Sequence, residues 1–314
     1  MSFEIPKENY TGTIQEVVIG EGDKAIKVGG QNAMPLCGFE GDFPNKPRIA
    51  MEVFDAAPEE WAAAVADVYK DVLGDPVAWA KKNVEEFGAE MICLQLASTD
   101  PNAANVSADD AANIAKSVAE AISVPLIVYG SGNAEKDVEV LTKVSEVCAG
   151  HNLLLGPIVE ENFRQIGASA LAYKHCIAAE TPIDVNMAKQ LNILLENLGV
   201  PTNKIVIDPS TGALGYGIEY SYSVMERDRL AALIQNDGKM QMPLICNLGK
   251  EAWKARESKI SVEEEPTFGD VAKRGILWES VTAVDLIMAG ADILIMRHPD
   301  AVALAKKAID DIYS

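Results

Sequence analysis

From residue 48 onward the chain alternates short apolar runs with stretches of helical period. The runs are RIAMEVFD (48–55), MICLQLAS (91–98), PLIVYGS (125–131), NLLLGP (152–157), ALAYKHC (170–176), KIVIDP (204–209), PLICNLG (243–249) and DILIMRH (292–298). Several are continuously apolar, the pattern of parallel strands covered on both faces. Between them, Ala111, Ile114, Val118 and Ile122 share one helical face, preceded by Ser107 and Asp110 as a capping box. Val138, Leu141, Val144 and Cys148 form a second face. Ala188, Leu191, Leu195 and Leu198 form a third, which stops at Gly199 with Pro201 just beyond. A last helix runs from Val302 through Ile312. Eight β/α units predict a closed (β/α)8 TIM barrel, with an open doubly wound sheet as the alternative.

Residues 1–47 follow a different pattern. TIQEVVIG and KAIKVGG are short, partly alternating stretches joined by Glu21-Gly22-Asp23, which predicts a β-hairpin. The Gly/Pro-rich connection NAMPLCGFEGDFPNKP follows. Residues 1–47 are therefore read as an N-terminal hairpin and strap, too small for a core of their own, leading into a barrel over 48–314.

A length of 314 residues suits one α/β barrel, and 48% apolar with 24% charged residues supplies one large core. The net charge of −20 repels phosphate backbones, which argues against nucleic acid or an anionic membrane as a main partner. No uncharged apolar run of 18 residues spans a membrane, and MSFEIPKENYTG lacks the features of a secretory signal. A cytoplasmic protein is the expectation. The cysteines at 37, 93, 148, 176 and 246 contain no C-x-x-C and lie no closer than 28 residues (148 to 176). They read as free thiols, with no iron–sulfur cluster or structural zinc expected on this chain.

In a barrel the chemistry sits just past the C-terminal ends of the strands. That ring holds Asp55, Ser98, Thr99, Asp100, the stretch Gly130 to Asn133, Gly156, Asp208, Ser210, Thr211, Asn247, Arg297 and His298. It is polar and glycine-rich, with few acid/base groups. DPSTGALGYG (208–217) places three glycines after a strand, either to admit a large ligand or to make a tight βα turn. YGSGN (129–133) lacks the third glycine of a dinucleotide fingerprint, since Glu135 stands there. His151, His175 and His298 have no metal-ligand spacing, and no D-x-H-x-x-G cobalamin motif occurs. His151 falls on the stability face and His298 at the active end, where a structural role is the commoner one. Lys174, read as lying inside a strand, is a Schiff-base candidate if it points inward. Glu263-Glu264-Glu265 reads as a solvated loop, and no Walker A, G-x-S-x-G or zinc signature is present.

Five stretches carry a more specific resemblance: KVGGQNAMPLCGFEGDFPNKPRIAMEVFD (27–55), CLQLASTDPN (93–102), VYGSGNAEKD (128–137), VIDPSTGALGYGIEYS (206–221) and CNLGKEAWKARES (246–258). Over essentially its whole length the chain resembles the small subunit of the corrinoid iron–sulfur protein of the reductive acetyl-CoA (Wood–Ljungdahl) pathway, the acetyl-CoA decarbonylase/synthase complex delta-subunit family. The resemblance implies a heterodimer with a large subunit that holds a [4Fe–4S] cluster and a corrinoid (cobalamin-type) domain. The small subunit covers the corrinoid. Methyl groups arrive from methyltetrahydrofolate through a separate methyltransferase and leave to acetyl-CoA synthase/CO dehydrogenase. The chain is then a non-catalytic subunit with a shared corrinoid. Strand-end position selects Thr99, Gly132, Asn133, Asp208, Thr211, Gly212, Leu214, Gly215 and Asn247 as candidate cofactor contacts. The alternatives are a dihydropteroate-synthase-like methyltransferase gripping a pterin with Asp208 and Asn247, a Schiff-base lyase using Lys174, and a scaffold without cofactor contact.

Overall fold

The structure, a computed structural model, describes residues 4–313. Eight parallel strands form the barrel: β3 (Arg48–Phe54), β4 (Met91–Gln95), β5 (Leu126–Tyr129), β6 (Leu154–Ile158), β7 (Cys176–Glu180), β8 (Ile205–Asp208), β9 (Ile245–Asn247) and β10 (Ile293–Met296). They pair in the order β8-β7-β6-β5-β4-β3-β10-β9. The circle closes through a parallel bridge between Ile207 and Leu244. Around it stand α1 (Ala63–Tyr69), α2 (Pro76–Glu85), α3 (Ala108–Ala121), α4 (Ala134–Val147), α5 (Phe163–Tyr173), α6 (Val185–Leu198), α7 (Ile218–Leu233), α8 (Leu248–Lys254), α9 (Val271–Met288) and α10 (Pro299–Ile312). The helices end where the local chemistry asks. Ser107 Oγ accepts from the Asp110 N–H at the start of α3, and Gly199 takes the left-handed conformation (φ 101°) that closes α6.

One sequence expectation is corrected. ALAYKHC (170–176) is mostly helix: α5 runs to Tyr173, Lys174 is its left-handed C-cap (φ 64°), and β7 begins only at Cys176. Lys174 is exposed and precedes its strand, so it lies at the end of the barrel opposite the mouth. The Schiff-base reading therefore loses its residue. Its neighbour His175 is buried, accepting from the Leu153 N–H at 3.0 Å through Nδ1 and pairing with the Ser145 carbonyl through Nε2 at 2.9 Å. It ties strands to helices.

The N-terminal hairpin, β1 (Val17–Ile19) with β2 (Ile26–Val28), is antiparallel and stoppers the floor. Val17, Ile19 and Val28 share one apolar cluster with the inward residues of the strands, among them Met91, Ile127, Leu154, Val206 and Ile293. Asn152 Nδ2 fixes the hairpin by donating to the Val18 and Gly20 carbonyls at 2.8 and 2.9 Å. The strap that follows is clipped at the same end. Gln31 Nε2 donates to Asp292 Oδ1 at 2.8 Å, and the other oxygen of Asp292 takes the buried Arg229 guanidinium. With the floor sealed in this way, the interior opens at the strands' C-terminal ends.

Candidate functional site

Strand side chains alternate in and out, so the inward positions can be counted upward from the floor. Ala50, Met91, Cys93, Ile127, Leu154, Cys176, Ala178, Val206, Ile245, Ile293 and Ile295 fill the lower interior. The next inward position on each strand is Glu52, Gln95, Tyr129, Gly156, Glu180, Asp208, Asn247 and, just past β10, Arg297. The interior turns polar in one layer, at the mouth.

That layer has two halves. In the first, Arg297 Nε donates to Glu52 Oε2 at 2.6 Å and Gln95 Nε2 to Glu52 Oε1 at 3.1 Å. The Arg297 guanidinium lies over the Trp61 ring, 4.3 Å from its centroid. Glu279 supports it from α9, where it accepts the Arg297 and His298 N–H groups and the Trp253 Nε1–H. These groups satisfy one another, and His298 itself caps α10.

The second half opens into a cavity of about 350 Å³ lined by Tyr129, Glu180, Asp208, Thr211, Asn247 and Lys250, among others. Asp208 is 3% exposed; its Oδ2 accepts from the Tyr129 hydroxyl at 3.0 Å and its Oδ1 from the Ser210 N–H at 3.1 Å. Glu180 sits beside it in register, and its Oε1 accepts from Ser210 Oγ at 3.1 Å. Ser210 joins the two carboxyls from a left-handed backbone (φ 56°), a strained conformation for a residue with a side chain. Burial pushes Asp208 well above the usual carboxylate range, and the charge of Glu180 pushes it further. Burial raises Glu180 as well, and likewise the Tyr129 phenol next to Asp208. Asn247 Oδ1 is buried without a hydrogen-bond partner among the described residues.

The two glycine turns prove to be different devices. In the β5–α4 turn, Asp137 folds back so that its carboxylate accepts the Ser131 and Gly132 N–H groups at 2.8 and 2.9 Å. A Cβ on Gly130 would lie 2.3 Å from that carboxylate. The turn's amides are filled from within rather than offered to a ligand. In the β8–α7 turn, a Cβ on Gly212 would lie 2.6 Å from the Gly217 backbone, while Gly215 and Gly217 hold φ values of 74° and 94°. These glycines let the loop fold onto itself.

Of the nine sequence candidates, Gly132, Asp208, Thr211 and Asn247 line the cavity together. Asn133 is the exposed N-cap of α4, accepting from the Lys136 N–H. Thr99 is fully buried and donates to the Leu96 carbonyl. Gly212 and Gly215 belong to the loop's own turn, and Leu214 faces outward, where its carbonyl accepts from Trp278 Nε1 at 3.1 Å. It lines a second, more apolar cavity of about 270 Å³ with Phe268 and Leu277. Gln95, Tyr129, Glu180 and Lys250 are mouth residues that strand-end reading passed over. The first three are inward strand positions, which the period of two would have shown. Among the described residues no group of three or more His, Cys, Asp or Glu side chains could hold a metal ion. No helix of the described residues is long and apolar enough to cross a membrane.

Residues 16–307 match the family model described as CO dehydrogenase/acetyl-CoA synthase delta subunit. The chain belongs to that family. A delta subunit of the acetyl-CoA decarbonylase/synthase complex from Archaeoglobus fulgidus is 38% identical over 322 residues, covering 99% of this chain and 71% of the relative. The delta 1 subunit of the same complex from Methanosarcina thermophila is 38% identical over 316 residues, covering 97% and 72%. Among solved structures, dihydropteroate synthase from Coxiella burnetii superposes with a TM-score of 0.58 at 11% identity, covering 95% of this chain and 98% of that one. The Thermus thermophilus enzyme gives 0.56 at 15%, covering 94% and 98%. At those identities the likeness is one of fold, and it confirms the TIM barrel. The delta-subunit match begins in the N-terminal hairpin and ends in α10, so it includes the floor, the mouth and both glycine turns.

Proposed function

We propose that this delta-family chain is the small subunit of a heterodimeric corrinoid iron–sulfur methyl carrier, and that its barrel mouth covers a corrinoid held by the large, [4Fe–4S]-bearing subunit. The observation that carries the reading is the polar layer. Half of it is locked in the Glu52–Gln95–Arg297 network. The other half presents acceptors, Asp208, Glu180 and the unpartnered Asn247 Oδ1, without a histidine or thiol placed as a nucleophile among its lining residues. Such a surface suits the peripheral amides of a corrinoid, which bring N–H donors. A corrin macrocycle is too large to enter 350 Å³, so it would lie across the mouth, with Gly132, Thr211 and Asn247 beneath it and Asn133, Gly212, Leu214 and Gly215 toward its edge. Thr99, being buried, would act only by holding its turn. The bound corrinoid supplies a cobalt that takes up and releases the methyl group. The chain's part is to exclude water and fix the rim. Methyl groups would come from methyltetrahydrofolate through a methyltransferase and go to acetyl-CoA synthase.

The test is to purify the chain alone and with its large subunit, then record the visible spectrum and the cobalt content. The reading expects a corrinoid spectrum and cobalt only in the pair. A pair without corrinoid removes the reading, and stoichiometric cobalt on the isolated chain removes the shared interface.

A further inference from the structure

Beside the mouth lies a separate groove of about 190 Å³, between the β6–α5 and β7–α6 turns. Both turns follow C-terminal strand ends, and Glu180 stands in the partition, lining groove and mouth cavity alike. The groove's walls are apolar, with Val159 from the first turn and Met187, Leu191 and Leu194 from α6. At its buried end is Thr181. This residue follows the inward-facing Glu180, so the pleat turns its side chain outward, toward α6. Its N–H donates to the Asp208 carbonyl at 3.0 Å, and its own carbonyl accepts from Ser210 Oγ at 3.1 Å. The hydroxyl is left over: Thr181 is 5% exposed, and its Oγ1 has no hydrogen-bond partner among the described residues. A buried polar atom without a partner costs free energy, so the groove suits a guest that brings a polar head. Its charge is one-sided. Glu160 and Glu161 line it from the exposed side, and neither has an ion-pair partner among the described residues. The nearby cations are turned elsewhere. Arg164 lies over the Phe163 ring, 5.5 Å from its centroid, Lys189 pairs with Asp237, and Lys250 stands on the mouth side of Glu180.

These features describe one kind of guest. Three glutamates around the groove exclude an anion, and the apolar walls do not suit a hydrated metal ion. The volume lies below the roughly 300–1,000 Å³ of ordinary ligand pockets and suits a single long side chain. An arginine carries the matching parts in the matching order. Its stem can lie along Met187, Leu191 and Leu194, and its head brings five N–H donors to the Thr181 hydroxyl and the surrounding carboxylates. A guanidinium is also more weakly hydrated than a lysine ammonium, so it enters an apolar slot at lower cost. We propose that this groove is a docking socket for an arginine side chain of the large subunit, whose guanidinium enters past Glu160 and Glu161 and donates to Thr181 Oγ1. The inference rests on the reading that the large subunit covers the mouth, since a partner lying there passes over the adjoining groove. The exposed glutamates steer the arginine in, and the buried hydroxyl fixes the register of the two subunits.

The experiment is NMR of the full chain with isotope-labelled methionine methyls, alone and in complex with its large subunit. Met187, identified by its loss in Met187→Leu, reports on the groove. The chain is titrated with N-acetylarginine amide and with N-acetylcitrulline amide, whose head has nearly the same shape but no charge. The arginine compound should shift the Met187 methyl saturably in the millimolar range, while Met51, buried on β3, stays unmoved. It should bind about tenfold or more tightly than the citrulline compound, the effect of one hydrogen bond to a charged group. Thr181→Val, which keeps the shape and removes the hydroxyl, should weaken the arginine compound by a similar factor of about ten. Glu160→Gln with Glu161→Gln should weaken it at low salt and flatten its salt dependence. Each variant is checked for native ellipticity and cooperative melting. In the complex the Met187 methyl should already be displaced and should no longer respond to added arginine compound. No saturable shift, equal binding of the two compounds, or undiminished binding by folded Thr181→Val overturns the proposal. So does a Met187 that still responds in the assembled complex. A corrinoid-loaded complex with a responsive groove keeps the corrinoid reading and removes this one; a complex with a closed groove and no corrinoid does the reverse.

Discussion

Asp228 tests how this barrel treats a buried acid away from its mouth. It lies on α7, 2% exposed, and neither carboxyl oxygen has a hydrogen-bond donor among the described residues. Burial pushes it up to about 7 from an ordinary 3.8; the Arg229 charge pulls it down and Asp184 pushes it up. A carboxyl whose pKa is higher in the folded chain than in the unfolded one destabilises the fold as pH rises between the two values, because the unfolded chain gives up its proton first. The shift is about three units, so the full penalty above about pH 7 has a ceiling of about 4 kcal/mol. Asp228→Asn removes the titration and nearly keeps the shape. Relative to the variant, the native chain should lose about 2 kcal/mol of stability between about pH 5 and about pH 7, and almost nothing further above about pH 8. Urea denaturation followed by ellipticity at several pH values measures this. Two stability curves that run parallel across that window refute the reasoning, and would mean that Asp228 is ionised throughout or is solvated in the folded chain.

Arg297→Met should cost about 3–5 kcal/mol by leaving the fully buried Glu52 without its cationic partner, with only the Gln95 amide still donating to it. Adding Glu52→Leu should return most of that loss in the same urea titration. Gly212→Ala should lower the melting temperature, at about 1–3 kcal/mol, because its Cβ would collide with the Gly217 backbone. Gly132→Ala meets open space and faces only the left-handed backbone (φ 88°), about 1–2 kcal/mol. Calorimetric melting of both variants should therefore rank Gly212 as the less tolerant position.

The barrel was legible because its β-branched strands carry their own signal, and because caps such as Ser107 and Gly199 mark helix ends. The failure at residues 170–176 has a physical cause. Strand β7 reads CIAAE, and its two alanines carry little strand propensity, while ALAYKHC just before it fits a short alternating run. Gly167 adds to the ambiguity. It looks like a breaker but sits inside α5, where a Cβ would come within 3.0 Å of Leu198 on α6. Moving the strand end also hid Glu180, the acid that stands beside Asp208. The candidate site was half legible. Asp208, Thr211 and Asn247 follow from strand ends, but the split of the mouth into a locked half and an open half depends on Glu52 meeting Arg297, 245 residues away. The glycine turns misled for a related reason: whether backbone amides face a ligand or an internal carboxylate such as Asp137 is decided by the folded loop.

Amide hydrogen exchange on the chain bound to its large subunit, with and without the corrinoid loaded, tests most directly whether the mouth covers a corrinoid. Loading should slow exchange at 130–133, 208–217 and 247–254, the turns around the mouth, and leave the hairpin at 17–28 unchanged. Protection that appears at the hairpin end, or a mouth that exchanges alike with and without corrinoid, would contradict the account.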